Sequence, residues 1–259
     1  MTDYSLLKRA PVSKHIIPYT LYSPTQSAVR CWENEEVYGV PTGEETFEYK
    51  INDYGFRWTR KNSKRQWLFV GCSHTFGQGV SEQENYPEII CKSVDPEIEC
   101  INVAMPGTGP QIQALNLAWA VNTFNIERVF WYMPTVQRQI FVQRDAVHTY
   151  HPSALEWFHD KKFAKLWDKI QPGLEETTQH KTIWELYSTF SILKAKNIPL
   201  HFRCWEGPFQ LYARKLSKHF DIKEIPDMPK KDMGRDWLHR GPETHKEYAR
   251  MILETLDEN

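Results

Sequence analysis

Residues 66–80 read QWLFVGCSHTFGQGV, and this stretch decides the fold class. It opens with an apolar and aromatic run of strand length that ends in Gly71, and Ser73 follows in a turn rich in glycine. Loops at the carboxyl ends of parallel strands hold the functional groups of open α/β sheets. The stretch therefore predicts a buried strand that places a serine at the edge of such a sheet.

Similar short apolar runs recur downstream and alternate with amphipathic stretches. The predicted strands after Gln66–Gly71 are Glu99–Ala104, Arg128–Met133, Pro199–Cys204 and a weaker Phe220–Ile225. The predicted helices are Gln111–Thr123, Thr182–Lys196 with a capping-box pattern at Thr182-x-x-Glu185, and Pro242–Leu256. This alternation predicts an α/β fold: a three-layer α/β/α sandwich with a central, mostly parallel sheet of about five strands and flavodoxin-like winding.

Two regions depart from the alternation. Residues 1–65 are rich in proline and tyrosine and lack a helical period, so we expect an irregular N-terminal extension packed on a main domain of residues 66–259. An insertion at about residues 134–178, also expected to be irregular, follows a strand end and could shape a site there. The basic run RKNSKR at residues 60–65 could bind phosphate, but a solvated loop is the favoured interpretation.

Composition excludes several classes of protein. The 41% hydrophobic and 25% charged residues are typical of a globular chain, and 32 Lys+Arg against 33 Asp+Glu leave a net charge of -1 without a nucleic-acid footprint. No apolar run is long enough to span a membrane, and the N-terminus lacks the apolar core of a signal peptide, so we expect a cytoplasmic protein. We expect no nucleic-acid partner and no membrane association; the oligomeric state stays open.

Cysteine and histidine usage gives no firm metal or cofactor signal. The five cysteines are odd in number and include no CxxC pair, which predicts reduced thiols without a disulfide framework or zinc site. The polar residues His148, His151, His159 and Asp160 could form a metal cluster, but a histidine-rich loop is favoured. We therefore expect no cofactor and no metal.

The chemistry-bearing residues lie near the two ends of the predicted domain. The pattern G-x-S-x-T-x-G from Gly71 to Gly77 is neither the nucleophile elbow of α/β-hydrolases nor a Walker A loop. Asp236-x-x-His239 stands directly before the last helix. A serine hydroxyl needs an imidazole to take its proton, and the imidazole needs an acceptor that orients it, so this pair could activate Ser73.

These stretches resemble the SGNH (GDSL-like lipase/esterase) hydrolases. The segments GCSHTFGQGV, NVAMPGTG and DWLHRGPETHKEYA, which begin at residues 71, 102 and 236, are similar to the family's first, second and last blocks, and INDYGFR at residues 51–57 is similar to a lead-in of some members. The resemblance implies that Ser73 is the nucleophile, His239 the general base and acid, and Asp236 its orienting partner. It also implies that the amides of Ser73 and Gly107 are oxyanion donors.

Two departures from the family pattern affect these roles. Cys72 stands where the family has an aspartate before the serine, which makes the thiol a rival nucleophile. The third block, WYMPTVQ at residues 131–137, lacks the family's oxyanion asparagine. Losing such a donor costs about 10²–10³ in rate, so either Thr135 or Gln137 replaces it or activity is low.

The resulting hypothesis is a serine-dependent ester hydrolase, an esterase or deacylase acting on a small O-acyl ester that is possibly carbohydrate-linked. Two alternatives stay open: an acyltransferase with the same triad, and a non-catalytic ligand-binding module that has lost the asparagine. Glu206, at the end of the fourth predicted strand, is a further candidate for lining the site.

Overall fold

The computed structural model describes residues 52, 54–59, 61–134, 139–143, 146–150, 179–205, 210, 214–234 and 239–257. Its strands are β1 Gln66–Gly71, β2 Glu99–Asn102, β3 Ile126–Met133, β4 Gln139–Gln143, β5 Ala146–Tyr150, β6 Leu200–Cys204 and β7 Ile222–Glu224. Its helices include α1 Ser73–Phe76, α2 Tyr86–Val94, α3 Pro110–Thr123, α4 at residues 179–195 and α5 Pro242–Asp257, and residues 214–217 are also helical.

The main sheet is parallel and has the order β2-β1-β3-β6-β7. Counted within this sheet alone, the order is 2-1-3-4-5, which is the flavodoxin-like winding that the sequence predicts. The strand that leads to Ser73 lies between β2 and β3, so its carboxyl end lies inside the sheet, beside the point between β1 and β3 where the winding changes direction.

The two faces of β1 bury different clusters, because successive side chains of a strand point to opposite sides. Leu68 and Val70 belong to a core with residues of α3 and α4, among them Leu117 and Phe190. Trp67 and Phe69 belong to a second core with residues of α2 and α5, including Ile90, Tyr248 and Ile252. The sheet is therefore covered on both faces, and the predicted three-layer sandwich is confirmed.

The observed elements differ from the predicted ones in three places. Helix α2 was not predicted. Within the insertion, β4 and β5 form an antiparallel hairpin where irregular structure was expected. The capping-box prediction is wrong, since α4 already includes residue 179 and Thr182 lies inside it, completely buried.

Residues 54–58, at the end of the predicted extension, contact the sandwich. Tyr54, Phe56 and Trp58 alternate along the chain and pack around Trp119 and Phe124, with ring centroids 5.4 to 6.0 Å apart. Residues 1–51 and most of the insertion lie outside the described residues, so the predicted domain boundaries stay predictions.

The basic run is held by contacts within the protein. Lys61 Nζ donates to the carbonyls of Pro96 and Ile98, and Arg65 forms ion pairs with Asp95 and Glu127. These contacts favour a packed loop over a phosphate site.

In the part of the chain that the structure describes, four cysteines are buried and form no disulfide bond: Cys72, Cys91, Cys100 and Cys204. None of the helices described there has the length and apolar character needed to cross a membrane.

Candidate active site

The carboxyl end of β1 turns directly into the short helix that begins with Ser73. Gly71 makes this turn possible, because a Cβ there would lie 2.1 Å from Thr75 Oγ1 and 2.9 Å from the carbonyl oxygen of Tyr132. Ser73 is buried, with 6% of its surface exposed, and the Cys72 thiol donates to Ser73 Oγ at 3.8 Å. The candidate nucleophile and its rival thus share one tightly packed turn.

A buried arginine from the N-terminal segment holds the loop that follows Ser73. Arg57 Nη1 donates to the carbonyls of Phe76 at 3.0 Å and Gly77 at 2.5 Å, and Nη2 donates to the carbonyl of Val80 at 2.8 Å. Its guanidinium also lies over the Phe76 ring, 5.3 Å from the centroid. The sequence pattern did not indicate this role, although Arg57 belongs to the lead-in that precedes the first family block.

Two buried asparagines fix the same helix from other sides. Asn102 Nδ2 donates to the Thr75 carbonyl at 2.7 Å, and Asn85 Nδ2 donates to the carbonyls of Thr75 and Phe76 at 3.0 and 3.1 Å. The Tyr86 hydroxyl donates to Thr75 Oγ1 at 2.9 Å. Side chains from three separate segments therefore satisfy the carbonyls at the end of α1, whose partners a helix cannot supply itself.

Gly77 is the point at which these side chains converge. It ends α1 with φ of 80°, in the left-handed region, and its amide donates to the Ser73 carbonyl at 3.0 Å. A Cβ at Gly77 would lie 2.6 Å from Asn85 Cγ and 3.0 Å from Arg57 Nη1. Both the backbone conformation and the lack of space require glycine here.

The loop after β2 runs alongside the end of β1. Val103 donates its amide to the Phe69 carbonyl at 3.0 Å, and Met105 donates to the Gly71 carbonyl at 3.2 Å. Gly107 then has φ of 75°, and a Cβ added there would meet nothing within 4 Å. Gly107 therefore faces open space near the carboxyl end of β1, and its role as an oxyanion donor stays a prediction.

The loop that carries His239 is closed at its base. Asp232 accepts hydrogen bonds from the amides of Glu243 at 3.1 Å and Thr244 at 2.8 Å, in the first turn of α5. Met233 and Arg240 form an antiparallel bridge across the loop. These contacts fix both ends of residues 233–240 against the start of the last helix.

The closed loop packs against the turn that follows α1. A Cβ at Gly234 would lie 3.1 Å from Gly79 Cα. The His239 ring lies edge-on to the ring of His74, with centroids 5.5 Å apart. His74 directly follows Ser73, so the structure brings the candidate base to the helix that carries the candidate nucleophile.

Several predicted site residues lie outside the described residues, namely Asp236, Thr135, Gln137 and Glu206. The hydrogen-bond chain from Ser73 through His239 to Asp236, and the replacement of the missing asparagine, therefore stay predictions. Three members of the possible metal cluster, His151, His159 and Asp160, are also outside. Among the residues described, no group of three or more His, Cys, Asp or Glu side chains could hold a metal ion.

The aromatic side chains of Trp205 and Tyr132 border the site next to the end of β6. Trp205 follows β6, and its ring lies 5.1 Å from the His74 ring and 5.7 Å from the Tyr132 ring. It keeps 38% of its surface exposed, whereas Tyr132 is buried. Trp205 therefore offers a partly exposed aromatic surface in ring contact with His74, the residue that follows Ser73.

His245 is a second histidine of the last block, but its environment keeps it neutral. Its ring Nδ1 accepts a hydrogen bond from the Tyr86 amide at 3.3 Å, at the start of α2. Complete burial, with Arg57 and His239 as minor contributors, lowers the pKa of His245 to about 3. A base this weak, with its Nδ1 already accepting a hydrogen bond, is unsuited to proton transfer near neutral pH, which leaves His239 as the better candidate.

Comparisons with known proteins agree on the architecture. No protein-family model matches the chain, and no curated protein sequence matches it. The crystal structure of TesA is 11% identical and aligns with a TM-score of 0.50, covering 75% of this chain and 99% of its own. The structure of a carbohydrate esterase, whose active site is described as having divergent catalytic and non-catalytic binding functions, is 12% identical with a TM-score of 0.50 over 77% of this chain and 70% of its own.

A further similar structure is AlinE4, described as an SGNH-hydrolase family esterase. It is 14% identical, with a TM-score of 0.41 over 77% of this chain and 98% of its own. The similarity to the crystal structure of TesA agrees with the three-layer architecture and its sheet order. The chain has the fold of the SGNH (GDSL-like) hydrolases.

Proposed function

We propose that the protein is a serine ester hydrolase with Ser73 as its nucleophile. The observation that carries the proposal is the position of Ser73, which begins a tightly held turn at the carboxyl end of strand β1, inside the sheet. The His239 ring contacts the ring of His74, the residue that follows Ser73 in α1. The fold shared with a carbohydrate esterase supports the same chemistry.

The reaction would proceed through an acyl-enzyme. Ser73 Oγ attacks the ester carbonyl carbon while His239 takes the hydroxyl proton, and the tetrahedral intermediate collapses when the C–O bond to the alcohol breaks. The protonated His239 gives its proton to the departing alcohol. A water molecule, deprotonated by His239, then attacks the acyl-enzyme and releases the carboxylic acid and free Ser73.

The oxyanion of the tetrahedral intermediates would be stabilised by the amides of Ser73 and Gly107, with Thr135 as a further donor. Gly107 supports this proposal because its surroundings are open and its loop is hydrogen-bonded to the end of β1. Asp236 would orient the His239 ring and stabilise its protonated form.

For the substrate we favour a small O-acyl ester carried on a carbohydrate. The exposed face of Trp205 beside His74 supports this choice, because aromatic faces pack well against the apolar faces of sugar rings. The fold similarity to a carbohydrate esterase points in the same direction. The missing asparagine of the third block favours the main alternative, a module that binds such esters without turning them over.

The deciding experiment compares Ser73→Ala with Cys72→Ala, which changes the adjacent rival nucleophile. We expect the wild type to hydrolyse p-nitrophenyl acetate and acetylated monosaccharides, and Ser73→Ala to lower kcat by at least about 10³-fold without loss of the folded state. Cys72→Ala should keep most of the activity. A fluorophosphonate should label wild-type Ser73, as identified by peptide mass spectrometry.

Activity that survives in Ser73→Ala and disappears in Cys72→Ala would assign the nucleophile to Cys72. A wild type that neither hydrolyses esters nor reacts with the fluorophosphonate, but binds acetylated sugars by calorimetry, would establish the binding module instead.

A further inference from the structure

Arg57 has an unusual environment for an arginine. Only 2% of its surface is exposed, and its side chain donates three hydrogen bonds to main-chain carbonyls. All three carbonyls belong to the turn after Ser73, between Phe76 and Val80. Bringing a guanidinium into the protein interior is costly unless its donors are used, so this contact has a specific geometry.

The side chains next to Arg57 in sequence point the other way and anchor it. Phe56 and Trp58 pack into the core beside α3, in ring contact with Trp119 and Phe124. The backbone of residue 57 is therefore fixed from the side opposite the site. Residues 56–58 therefore form a clamp on the turn after Ser73. Phe56 and Trp58 anchor it in the core, and the Arg57 guanidinium makes its contact with the turn.

The clamped turn is the part of the chain that sets the position of Ser73. The amides of Gly77 and Gln78 both donate to the Ser73 carbonyl at 3.0 Å, and Arg57 holds the Gly77 carbonyl from the other side. A movement of Gly77 is thus transmitted to Ser73 through one hydrogen bond. Displacing a reacting group by about 1 Å can cost about 10²-fold in rate.

We propose that Arg57 is a positioning residue for the nucleophile, so that residues 54–58 form part of the catalytic unit although they precede the predicted hydrolase domain. The proposal rests on the proposed function of Ser73. Arg57 would not contact the substrate; it would keep the turn at residues 76–80 in the one arrangement that places Ser73 Oγ for attack.

Lysine cannot replace this contact. A guanidinium presents donors on two separate nitrogens, which here reach Gly77 and Val80, whereas an ammonium is a single point of charge on a flexible stem. Arg57→Lys should therefore keep the positive charge and release at least one carbonyl. A purely electrostatic or packing role would tolerate lysine better than a positioning role does.

Arg128→Lys is a matched control at the opposite edge of the sheet. Arg128 lies near the start of β3, is half-buried, donates from Nη1 to His201 Nε2 at 2.9 Å and lies over the Trp67 ring. Both arginines donate hydrogen bonds inside the protein and lie over an aromatic ring, but of the two only Arg57 contacts the turn after Ser73. The measurements are kcat, KM, the rate of fluorophosphonate labelling of Ser73, and thermal stability by circular dichroism.

We expect Arg57→Lys to lower kcat and the labelling rate by about 10- to 100-fold while KM changes by less than about 3-fold. Arg128→Lys should lose thermal stability without a change in either rate. If Arg57→Lys does not fold, Arg57→Gln, which keeps an amide donor, takes its place, with rates expressed per folded molecule.

Equal kcat and labelling rates in the wild type and the Arg57 variant overturn the positioning role, and so does an equal loss in Arg128→Lys. Failure of the proposed function gives a different result, since the wild type itself would then be neither labelled at Ser73 nor active. That result removes both proposals together.

Discussion

Alanine substitutions at Gly77 and Gly107 separate two costs that usually occur together. Both glycines have positive φ, 80° and 75°, so alanine at either position pays the left-handed backbone penalty of about 1–2 kcal/mol. At Gly77 the new methyl group would also lie 2.6 Å from Asn85 Cγ and 3.0 Å from Arg57 Nη1, whereas at Gly107 it would meet nothing within 4 Å. Overpacking of this kind adds about 1–3 kcal/mol.

We therefore expect Gly77→Ala to lower the free energy of unfolding by about 2–5 kcal/mol and Gly107→Ala by about 1–2 kcal/mol. For a chain of this size each kcal/mol corresponds to about 2–4 °C in Tm. Urea unfolding followed by circular dichroism measures both differences. Gly77→Ala should also reduce esterase activity per folded molecule, since both side chains that it displaces hold the turn after Ser73.

Equal stability losses in the two variants would refute the reasoning, because they would mean that the contacts around Gly77 relax at no cost. Gly77→Ala with full activity per folded molecule would show that the position of this turn does not control the nucleophile.

Two further predictions concern Trp205 and the buried histidines. Trp205→Ala should raise KM for an acetylated monosaccharide by about 10-fold and leave KM for p-nitrophenyl acetate within about 2-fold. The reason is that loss of an aromatic contact worth about 1–1.5 kcal/mol affects only the sugar. Equal changes in KM for both substrates in steady-state assays would contradict a contact between Trp205 and the sugar. Burial, with Arg128 and Lys223 as smaller contributors, lowers the pKa of His201 to about 3, and burial lowers that of His245 to about 3. In the unfolded chain the histidine pKa is about 6.5, so the unfolded chain binds more protons than the folded protein below that pH. The free energy of unfolding should therefore fall as the pH drops from about 6.5 towards 3, by up to about 1.4 kcal/mol per pH unit for each histidine. In urea titrations between pH 6 and 5, His201→Gln should reduce the dependence of the unfolding free energy on pH by up to about 1.4 kcal/mol per pH unit. An unchanged pH dependence would show that His201 does not contribute to it.

Strands β1 and β3 were predictable because they are buried on both faces and contain continuous apolar runs. Strand β1 was predicted with its observed bounds, Gln66–Gly71. The predicted strand Arg128–Met133 begins two residues after the observed start of β3 at Ile126. Helix α2 was not predictable in this way, since it has nine residues and begins with Tyr86-Pro87 directly after the polar stretch SEQEN. Helices this short draw most of their stability from tertiary packing rather than from their own sequence.

Thr182 shows a different limit of prediction from sequence, which concerns where a helix begins. Its spacing to Glu185 fits a capping box, but a local pattern does not show whether the helix continues upstream. In the structure the helix does continue, and Thr182 faces the interior. Burial of one face of α4 decided the outcome, and burial depends on the rest of the fold.

The candidate site also has a part that the sequence predicted and a part that it did not. The position of Ser73 followed from a strand that ends in Gly71, and that of His239 from a loop before the last helix. The side chains that hold the turn after Ser73 left no such signal, because each acts on a carbonyl far away in sequence. Arg57 reaches Gly77 across 20 residues, and Asn102 reaches Thr75 across 27.

The sheet order has a consequence for how substrate preference could change during evolution. Strands β3 and β6 are hydrogen-bonded neighbours, yet residues 134–199 separate them and leave the sheet at the edge where Ser73 lies. The entropic cost of closing a loop grows only with the logarithm of its length, so doubling the length of a loop costs about 0.6 kcal/mol. Because α4 packs in the core, we expect insertions and deletions before α4 to alter the surroundings of Ser73 at little expense in stability, so that related chains can diversify there.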